Sequence, residues 1–251
     1  MLGSQVVREA RRQGHEVYAP SHEACPIETN LAVFPLLHPA SHPTPNVVIN
    51  CAGVTDMRRS FSEIINANAL GPVLLGTYCA RYGVRFIHVS TDCVFSGRPA
   101  AHQPYTTLDQ PNPADLYGRS KLLGETLPES ALAVRCSFVG AQSGLLRWLI
   151  EHREQDVEGY VNAWWNGSSV QAVARMLVEE AAGTRSGIHH AASREWLSKA
   201  TLLRMLSDIL DLRVTVRDVP EPHVNRRLEP TITLPPLEQA LALLREESVP
   251  A

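Results

Sequence analysis

The chain has 251 residues, of which 44% are apolar and 20% are charged, and its formal net charge is −3 at pH 7. This length and composition are typical of a folded α/β protein with one large core, and the lack of a basic cluster argues against a nucleic-acid partner. No apolar run reaches the roughly 20 residues of a membrane span and no signal peptide is visible. We therefore expect no membrane partner and a cytoplasmic location.

The first half of the chain alternates between helical periodicity and continuous apolar runs bounded by turn residues, which is typical of buried parallel strands. The predicted elements are a helix over 3–13 ended by Gly14, a strand over 15–20, a weak strand over 31–36, a strand over 46–52, a helix over 60–82 and a strand over 85–90. Strands that alternate with helices at this spacing predict a doubly wound, parallel, Rossmann-type sheet with right-handed crossovers.

A helix beginning near Leu116 and a strand over 132–139 continue this alternation, and the rhythm changes after about residue 140. The later predicted elements are a turn at 166–169, a helix to about 182, a strand over 187–192 and a helix over 199–210. We expect a Rossmann-type cofactor-binding region over 1–140. Residues 141–251 are expected to form a smaller substrate lobe that returns elements to the sheet.

Two short motifs about two dozen residues apart carry the chemistry. Tyr117 and Lys121 are four residues apart at a predicted helix start, so they share one face, and a lysine there is expected to lower the phenol pKa. Thr91 ends a buried strand, where open α/β sheets place groups that contact ligands. Ser90 points to the opposite face of the strand, so Thr91 is preferred, and Asp92 is either a substrate contact or a turn cap.

Other polar and aromatic residues favour structural roles. Five scattered cysteines without Cys-x-x-Cys spacing predict neither a disulfide framework nor a zinc site, and only Cys93 lies beside a candidate site. His88 is interpreted as a core residue. His189 and His190 would face opposite ways on a strand, so we predict no metal site. The tryptophans at 164–165 favour lobe packing over stacking on a nucleotide.

Several segments resemble the extended short-chain dehydrogenases/reductases, and within them the dTDP-4-dehydrorhamnose reductase group of sugar-nucleotide reductases. They are NVVINCAGVTD (46–56), NANALGP (66–72), FIHVSTDCVFSG (86–97), PYTTLDQPNPADLYGRSKLLGE (104–125) and RCSFVG (135–140), with weaker likeness at WNGSS (165–169) and GIHHAAS (187–193). The resemblance implies catalytic Thr91, Tyr117 and Lys121. It further implies a ring-stacking substrate contact at Phe138, and we predict cofactor contacts at Leu2, Gly3, Ala52, Gly53, Val54, Tyr117 and Lys121. Thr91 and Asp92 are the other candidate substrate contacts.

The sequence departs from the resembled group in two places. Phe138 stands where similar proteins often have tryptophan, which keeps an aromatic face and removes the indole donor. Similar proteins open with a strand and Gly-x-x-Gly-x-x-Gly, of which only Gly3 is present. We expect a natural chain about ten residues longer than one starting at Met1, and a gap in the sheet where the first strand would lie. The rival expectation is a complete chain that has lost ordinary dinucleotide binding.

We therefore expect an NADPH- or NADH-dependent reductase of a nucleotide-activated 4-keto-6-deoxy sugar. The strand predicted over 15–20 has no acidic residue at its carboxyl end to bind an adenosine ribose hydroxyl, and this absence favours NADPH. Two alternatives stay open: a non-catalytic regulatory or binding subunit on the same fold, and a sugar-nucleotide epimerase or dehydratase. Similar dehydratases usually have acidic residues directly after the position of Thr91. Asp92 is present but no glutamate follows it, so the dehydratase is less favoured than the reductase. The oligomeric state is open, with a homodimer among the candidates.

Overall fold

The computed structural model describes residues 1–27, 44–98 and 103–247. Helices α1–α8 are Leu2–Arg12, Phe61–Ile65, Gly71–Arg81, Leu116–Leu123, Gly144–Glu151, Val170–Ala181, Lys199–Ile209 and Leu237–Ala242. Strands β1–β12 are Val47–Asn50, Arg85–Thr91, Leu132–Cys136, Phe138–Val139, Asp156–Tyr160, Ala163–Trp165, Ser168–Ser169, Gly187–Ala192, Leu197–Ser198, Thr215–Val219, Val224–Asn225 and Ile232–Thr233. The π-helical turn Asn66–Leu70 joins α2 to α3, and 3₁₀ turns are Asp92–Val94 and Leu243–Glu247. Within these ranges, the structure has no helix with the length and apolarity that crossing a membrane requires.

The main sheet has five strands in the order β1-β2-β3-β8-β12, and every pairing in it is parallel. Parallel strands buried on both faces are nearly continuous apolar runs, which is the pattern that the sequence shows at β2 and β3. Because all five strands run the same way, their carboxyl ends meet at one edge. This edge is called the C-terminal edge below.

Helices cover both faces of the sheet. On one face, α1 and α6 pack together and bury Ile87 and Val89 of β2 in the largest apolar cluster. On the other face, Leu75 and Cys79 of α3 pack on Phe86, the neighbour of Ile87 along β2. Because successive side chains of β2 point to opposite faces of the sheet, this strand contributes to two separate apolar cores. The predicted doubly wound parallel sheet is confirmed.

Two sequence predictions near the start differ from the structure. The strand predicted over 15–20 is wrong, because these residues form no strand. Among the described residues β1 is the edge of the sheet, and its strands follow one another without the predicted gap. A strand needs a neighbour for its backbone groups, and none of the strand pairings among the described residues includes residues 15–20. The weak strand predicted over 31–36 lies outside the described residues.

The region after residue 140 serves both the main sheet and a core of its own. Helix α6 and strands β8 and β12 join the main sheet and its largest apolar cluster. The rest packs around a second cluster built from α5, α7 and α8, in which Trp165 is buried. Three small sheets, β10-β5, β11-β6-β9 and β4-β7, frame this second cluster. The part of this region that packs around the second cluster is called the second lobe below.

Candidate active site

Thr91 and Tyr117 meet at the C-terminal edge of the sheet. Thr91 is the last residue of β2, and its hydroxyl accepts a hydrogen bond from the backbone N–H of Cys93 at 3.1 Å, which caps the 3₁₀ turn. Tyr117 lies in the first turn of α4, and its phenol is close enough to the Thr91 side chain for that side chain to lower its pKa. Asp115 caps α4 by accepting from the N–H of Gly118 at 2.8 Å, which fixes where the helix begins. The structure therefore brings these two predicted site residues together.

Gly118 allows the start of α4 to lie close to the 3₁₀ turn that follows Thr91. A Cβ atom at Gly118 would lie 2.2 Å from the carbonyl oxygen of Cys93 and 2.8 Å from Cβ of Pro113. Any larger residue would push the start of α4 away from the 3₁₀ turn that follows Thr91. The neighbouring Tyr117 would move with it, so the closeness of Tyr117 to Thr91 depends on this contact.

The phenol of Tyr117 keeps its proton in this environment. Burial raises the pKa of Tyr117, the nearby Cys93 raises it further, and the Thr91 side chain opposes them. The pKa shift is thus opposite to the lowering that the spacing of Tyr117 and Lys121 predicts. Desolvation of a charged phenolate outweighs any attraction to the lysine here.

Lys121 is buried one helical turn after Tyr117. Its Nζ donates a hydrogen bond to the carbonyl oxygen of Val89 at 2.7 Å and lies 3.3 Å from Nε2 of His88. Burial lowers the pKa of Lys121 to about 8, with Cys136 as the largest opposing influence. The amine therefore titrates far closer to neutral pH than an ordinary lysine does.

The segment 52–54 forms a small, exposed shelf beside Lys121. Ala52 and Gly53 are exposed, and a Cβ at Gly53 would lie 3.9 Å from Nζ of Lys121. The side chain of Asn68 holds both backbone groups of Val54, accepting from its N–H at 2.7 Å and donating to its C=O at 2.8 Å. Three residues predicted to contact a cofactor thus lie at the C-terminal edge, next to a predicted catalytic lysine.

Asn68 reaches this position through a π-helical turn that the sequence did not predict. The predicted helix over 60–82 is interrupted at Asn66–Leu70, where Asn68 is fully buried and also donates to Ser120 of α4 at 3.0 Å. A π turn widens the helix by one residue, and such turns are common at functional sites. Gly124 lets the turn approach α4, because a Cβ there would lie 2.2 Å from the carbonyl oxygen of Asn68.

The remaining predicted cofactor residues open α1. Leu2 is buried in the largest apolar cluster, and Gly3 packs against Cys51, with 3.6 Å between a Cβ at Gly3 and Cβ of Cys51. The start of α1 is thus beside the end of β1 and the shelf at 52–54. No side chain caps this helix start and no acidic residue lies in its first turn.

Two cationic side chains from the second lobe approach the 3₁₀ turn. Arg226 donates through Nη1 to Sγ of Cys93 at 3.6 Å. Lys199 has its Nζ 5.1 Å from the centre of the Trp165 ring, and burial lowers its pKa while the charge of Asp92 opposes the shift. Asp92, predicted as a substrate contact or a turn cap, is close enough to Lys199 to affect its pKa, and its Oδ1 accepts from Oγ1 of Thr91 at 3.2 Å. The turn itself is capped by Thr91, and the sequence analysis missed both Lys199 and Arg226. Burial raises the pKa of Cys93 to about 12, so its thiol is not an activated nucleophile.

The aromatic residues near the site differ in how deeply they are buried. Phe138 is half-buried in β4, just beyond β3 at the C-terminal edge, and packs against the largest apolar cluster. Trp165 is buried and donates to Ser137 at 2.9 Å, in agreement with a packing role. Trp164 lies edge-on to Trp196 with 4.8 Å between ring centres.

The histidines belong to hydrogen-bonded networks inside the protein. His190 is buried beside Arg135, and His189 lies by Thr231. His88 is buried between Lys121 and a neighbour on β1. Over residues 1–27, 44–98 and 103–247 no group of three or more histidine, cysteine or acidic side chains is arranged to hold a metal ion.

Comparison with known proteins places these features in a family. Residues 1–229 match the model of the RmlD substrate binding domain. The dTDP-4-dehydrorhamnose reductase of Mycobacterium tuberculosis (strain CDC 1551 / Oshkosh) is 38% identical over 148 residues, which are 55% of this chain and 47% of that protein. The chain thus spans about half the length of the first curated relatives that it matches.

Two further matches bear on function and on fold. Methionine adenosyltransferase 2 subunit beta of Danio rerio is 29% identical over 194 residues, 67% of this chain and 57% of that protein. The solved structure of dTDP-4-dehydrorhamnose reductase from Bacillus anthracis str. Ames, in complex with NADP, has a TM-score of 0.83 and covers 99% of this chain and 96% of that one. At 20% identity, this second likeness shows the shared fold.

Proposed function

This chain belongs to the RmlD substrate binding domain family, and from that premise we propose that it reduces the 4-keto group of a nucleotide-activated 6-deoxy sugar. The observation that carries the proposal is the close approach of the start of α4, with Tyr117, to the turn that follows Thr91 at the C-terminal edge, one helical turn from Lys121. These side chains offer a hydroxyl, a protonated phenol and an amine to one ligand carbonyl. The relative from M. tuberculosis is named for such a reductase.

The residues at this edge fit a nicotinamide dinucleotide. The shelf at 52–54 has small, exposed residues where a flat ring and a ribose need close approach, and Nζ of Lys121 lies beside Gly53. The uncapped start of α1 at Leu2 and Gly3 offers backbone N–H groups, which favour phosphate. When bound, the dinucleotide supplies the hydride. We propose NADPH over NADH, because residues 15–20 end without an acidic side chain.

The chain's own residues then have separate tasks. Thr91 donates to the sugar carbonyl oxygen and orients it, while Tyr117 delivers a proton to that oxygen from its Oη atom. The raised pKa of Tyr117 supports this task, since a proton donor must hold its proton until the reaction. Lys121 keeps an N–H available for a ribose hydroxyl.

The second lobe is proposed to hold the nucleotide part of the substrate. Lys199 and Arg226 are cations on the side of the site that faces Asp92, and a sugar nucleotide carries its negative charge on a diphosphate. Phe138 offers an aromatic face at the same edge for the sugar ring. On this proposal residues 1–140 bind the cofactor, and 141–251 supply most substrate contacts.

The test is a panel of dTDP-, UDP-, GDP- and CDP-linked 4-keto-6-deoxy sugars, with loss of NADPH absorbance as the signal. We expect turnover with at least one of them and a rise in melting temperature with NADPH, as for any ligand that binds only the folded state. Turnover of none, together with no change in melting temperature with NADPH or NADH, would refute the proposal.

A second candidate is a regulatory subunit that uses the same fold without turnover. The likeness to methionine adenosyltransferase 2 subunit beta favours it, because that relative is named as a subunit. The test separates the two: a binding subunit would be stabilised by the dinucleotide and would turn over no sugar. The meeting of Thr91 with Tyr117 favours the reductase.

A further inference from the structure

An open hollow of about 400 Å³ lies on the surface beside α4, and it contains none of the residues assigned above to the cofactor or the substrate. Its apolar side chains come from the loop before α4, from the end of α4 and from the start of β8. They are Leu108, Pro111, Leu122, Leu123 and Ile188. Three of them, Leu108, Leu123 and Ile188, are 90%, 55% and 38% exposed. Exposed apolar side chains that line one hollow mark an interaction surface.

Leu108 projects from a rigid turn that forms one side of the hollow. The carboxylate of Asp109 accepts from the N–H and the hydroxyl of Thr106 at 2.7 and 2.9 Å, and the N–H of Asp109 donates to the carbonyl oxygen of Thr106 at 3.2 Å. Arg98 forms an ion pair with the same carboxylate. The backbone that carries Leu108 is therefore already ordered, so little conformational entropy remains to be lost when a partner covers this side chain.

The charged side chains that line the hollow are already paired. Glu125 forms an ion pair with Arg135 at 2.7 Å, and both side chains are buried. Asp109 is paired with Arg98, as described above. An apolar side chain can therefore enter the hollow without leaving any of these charges uncompensated.

Two further charges lie at opposite ends of the segment 119–129, which forms another side of the hollow. Arg119 precedes Leu123 by four residues and so shares its face of α4, and Glu129 follows in the turn before β3. Both side chains are exposed, and neither forms an ion pair with any residue that the structure describes. A cation at one end and an anion at the other make this segment complementary to a reversed copy of itself.

We propose that this face is the interface of a symmetric homodimer, in which Leu108 of each protomer enters the hollow of the other. A two-fold dimer uses the same patch on both protomers, so a projecting residue and the hollow that receives its copy must lie side by side. Leu108 and the hollow meet this condition. The two-fold axis also reverses the segment 119–129, so that Arg119 lies opposite the partner's Glu129.

The charge pattern favours a second copy over an unrelated partner. A strongly acidic or strongly basic partner would need a face of one sign, whereas this face has balanced charges. Association would cover the pair of Glu125 with Arg135, and Glu125 also accepts from Ser90, the residue before Thr91. The interface would therefore support the end of α4 without contributing a residue to the candidate active site.

Sedimentation velocity of this chain from about 1 to 200 µM, without substrate or cofactor, tests the proposal. We expect a monomer–dimer equilibrium with a micromolar dissociation constant, because the apolar part of the face is small. Leu108→Asp should weaken association at least about tenfold, since it places a charge in each apolar hollow. The melting temperature of the dilute variant should match the wild type, because the Leu108 side chain is 90% exposed.

Phe61→Asp is the matched control. Phe61 is also a large exposed apolar residue, at 66%, but it does not line the hollow. This variant should therefore associate as the wild type does. If Phe61→Asp weakened the dimer as much as Leu108→Asp, the interface would lie elsewhere and the proposal would be wrong.

Exchange of the two free charges tests the two-fold arrangement. Arg119→Glu and Glu129→Arg should each weaken the homodimer by about threefold or more, because each places like charges opposite one another. An equal mixture of the two variants should form a heterodimer as stable as the wild type, since residues 119 and 129 then face opposite charges again.

Three results would each overturn the proposal: a wild-type chain that stays monomeric up to about 200 µM, a dimer that Leu108→Asp leaves intact, or mixed charge variants that associate no better than either alone. The mixing experiment decides even if Leu108→Asp fails to fold. None of these measurements needs turnover, so the homodimer and the proposed reductase stand or fail separately.

Discussion

Replacing Gly118 with alanine should damage the site through one contact. The new Cβ would lie 2.2 Å from the carbonyl oxygen of Cys93, a backbone atom that cannot swing away, so the start of α4 must move by about 1 Å. Overpacking of this kind costs about 3 kcal/mol, and the better helix propensity of alanine offsets about 1 kcal/mol. We expect a net loss of about 2 kcal/mol, which lowers the melting temperature by about 4–8 °C.

Activity should fall by more than the stability loss explains. Tyr117 precedes Gly118 and moves with the helix, and a 1 Å misplacement of a catalytic group can cost about 10²-fold in rate. The assay compares melting temperature and NADPH turnover, at a temperature where both proteins are folded. Gly183→Ala is the matched control, because its nearest heavy atom would be 3.4 Å away. A Gly118→Ala protein with wild-type turnover would refute the claim that this contact positions Tyr117.

Three further predictions use other parts of the structure. Tyr117→Phe should lower turnover by about 10²–10⁴-fold while NADPH still raises the melting temperature, and near-normal turnover would contradict its role as proton donor. Glu125→Gln should destabilise the fold by about 3–5 kcal/mol in denaturant unfolding, because it leaves the 2%-exposed Arg135 as an uncompensated charge; a loss below 1 kcal/mol would count against this. The pKa of Glu9 is lowered from 4.5 to about 2, first by its hydrogen bond to Arg12, so its contribution to stability is complete above pH 4.5 and is lost as the pH falls towards 2. Glu9→Gln should therefore reduce the acid sensitivity of unfolding in that window, and an unchanged acid limb would contradict the assignment.

The sequence predicted the parts of the fold that depend on local pattern. The apolar run over 85–90 became β2, and the helix start near Leu116 is set by the cap at Asp115. Thr91 was preferred to Ser90 because neighbours on a strand face opposite ways. In the structure Ser90 donates to Glu125, whereas the Thr91 hydroxyl accepts from the N–H of Cys93, so the two neighbours have different partners. The choice of Thr91 as the substrate contact stays a prediction.

What the sequence could not predict depends on contacts between distant segments. Residues 15–20 have a strand-like composition, but a strand also requires a partner in space. The π turn that aims Asn68 at Val54 results from close packing with α4, which no helical periodicity reveals. Lys199 and Arg226 come from the far end of the chain, and nothing in their local sequence marks them as neighbours of the 3₁₀ turn.

His88 shows what the sequence cannot specify about a buried residue. His88 has the sequence signature of a core residue, and it is indeed fully buried. Its importance lies in which atoms face it, because Asn50 and Lys121 approach opposite ring nitrogens. Only coordinates can supply that information.

Hydride transfer to the sugar is tested most directly with NADPH carrying deuterium at the transferred position and a dTDP-4-keto-6-deoxy sugar. The account predicts one deuterium at C4 of the product by NMR, at a rate that Tyr117→Phe lowers by about 10²-fold or more. Product without deuterium at C4, or labelled product formed equally fast by the variant, would contradict it.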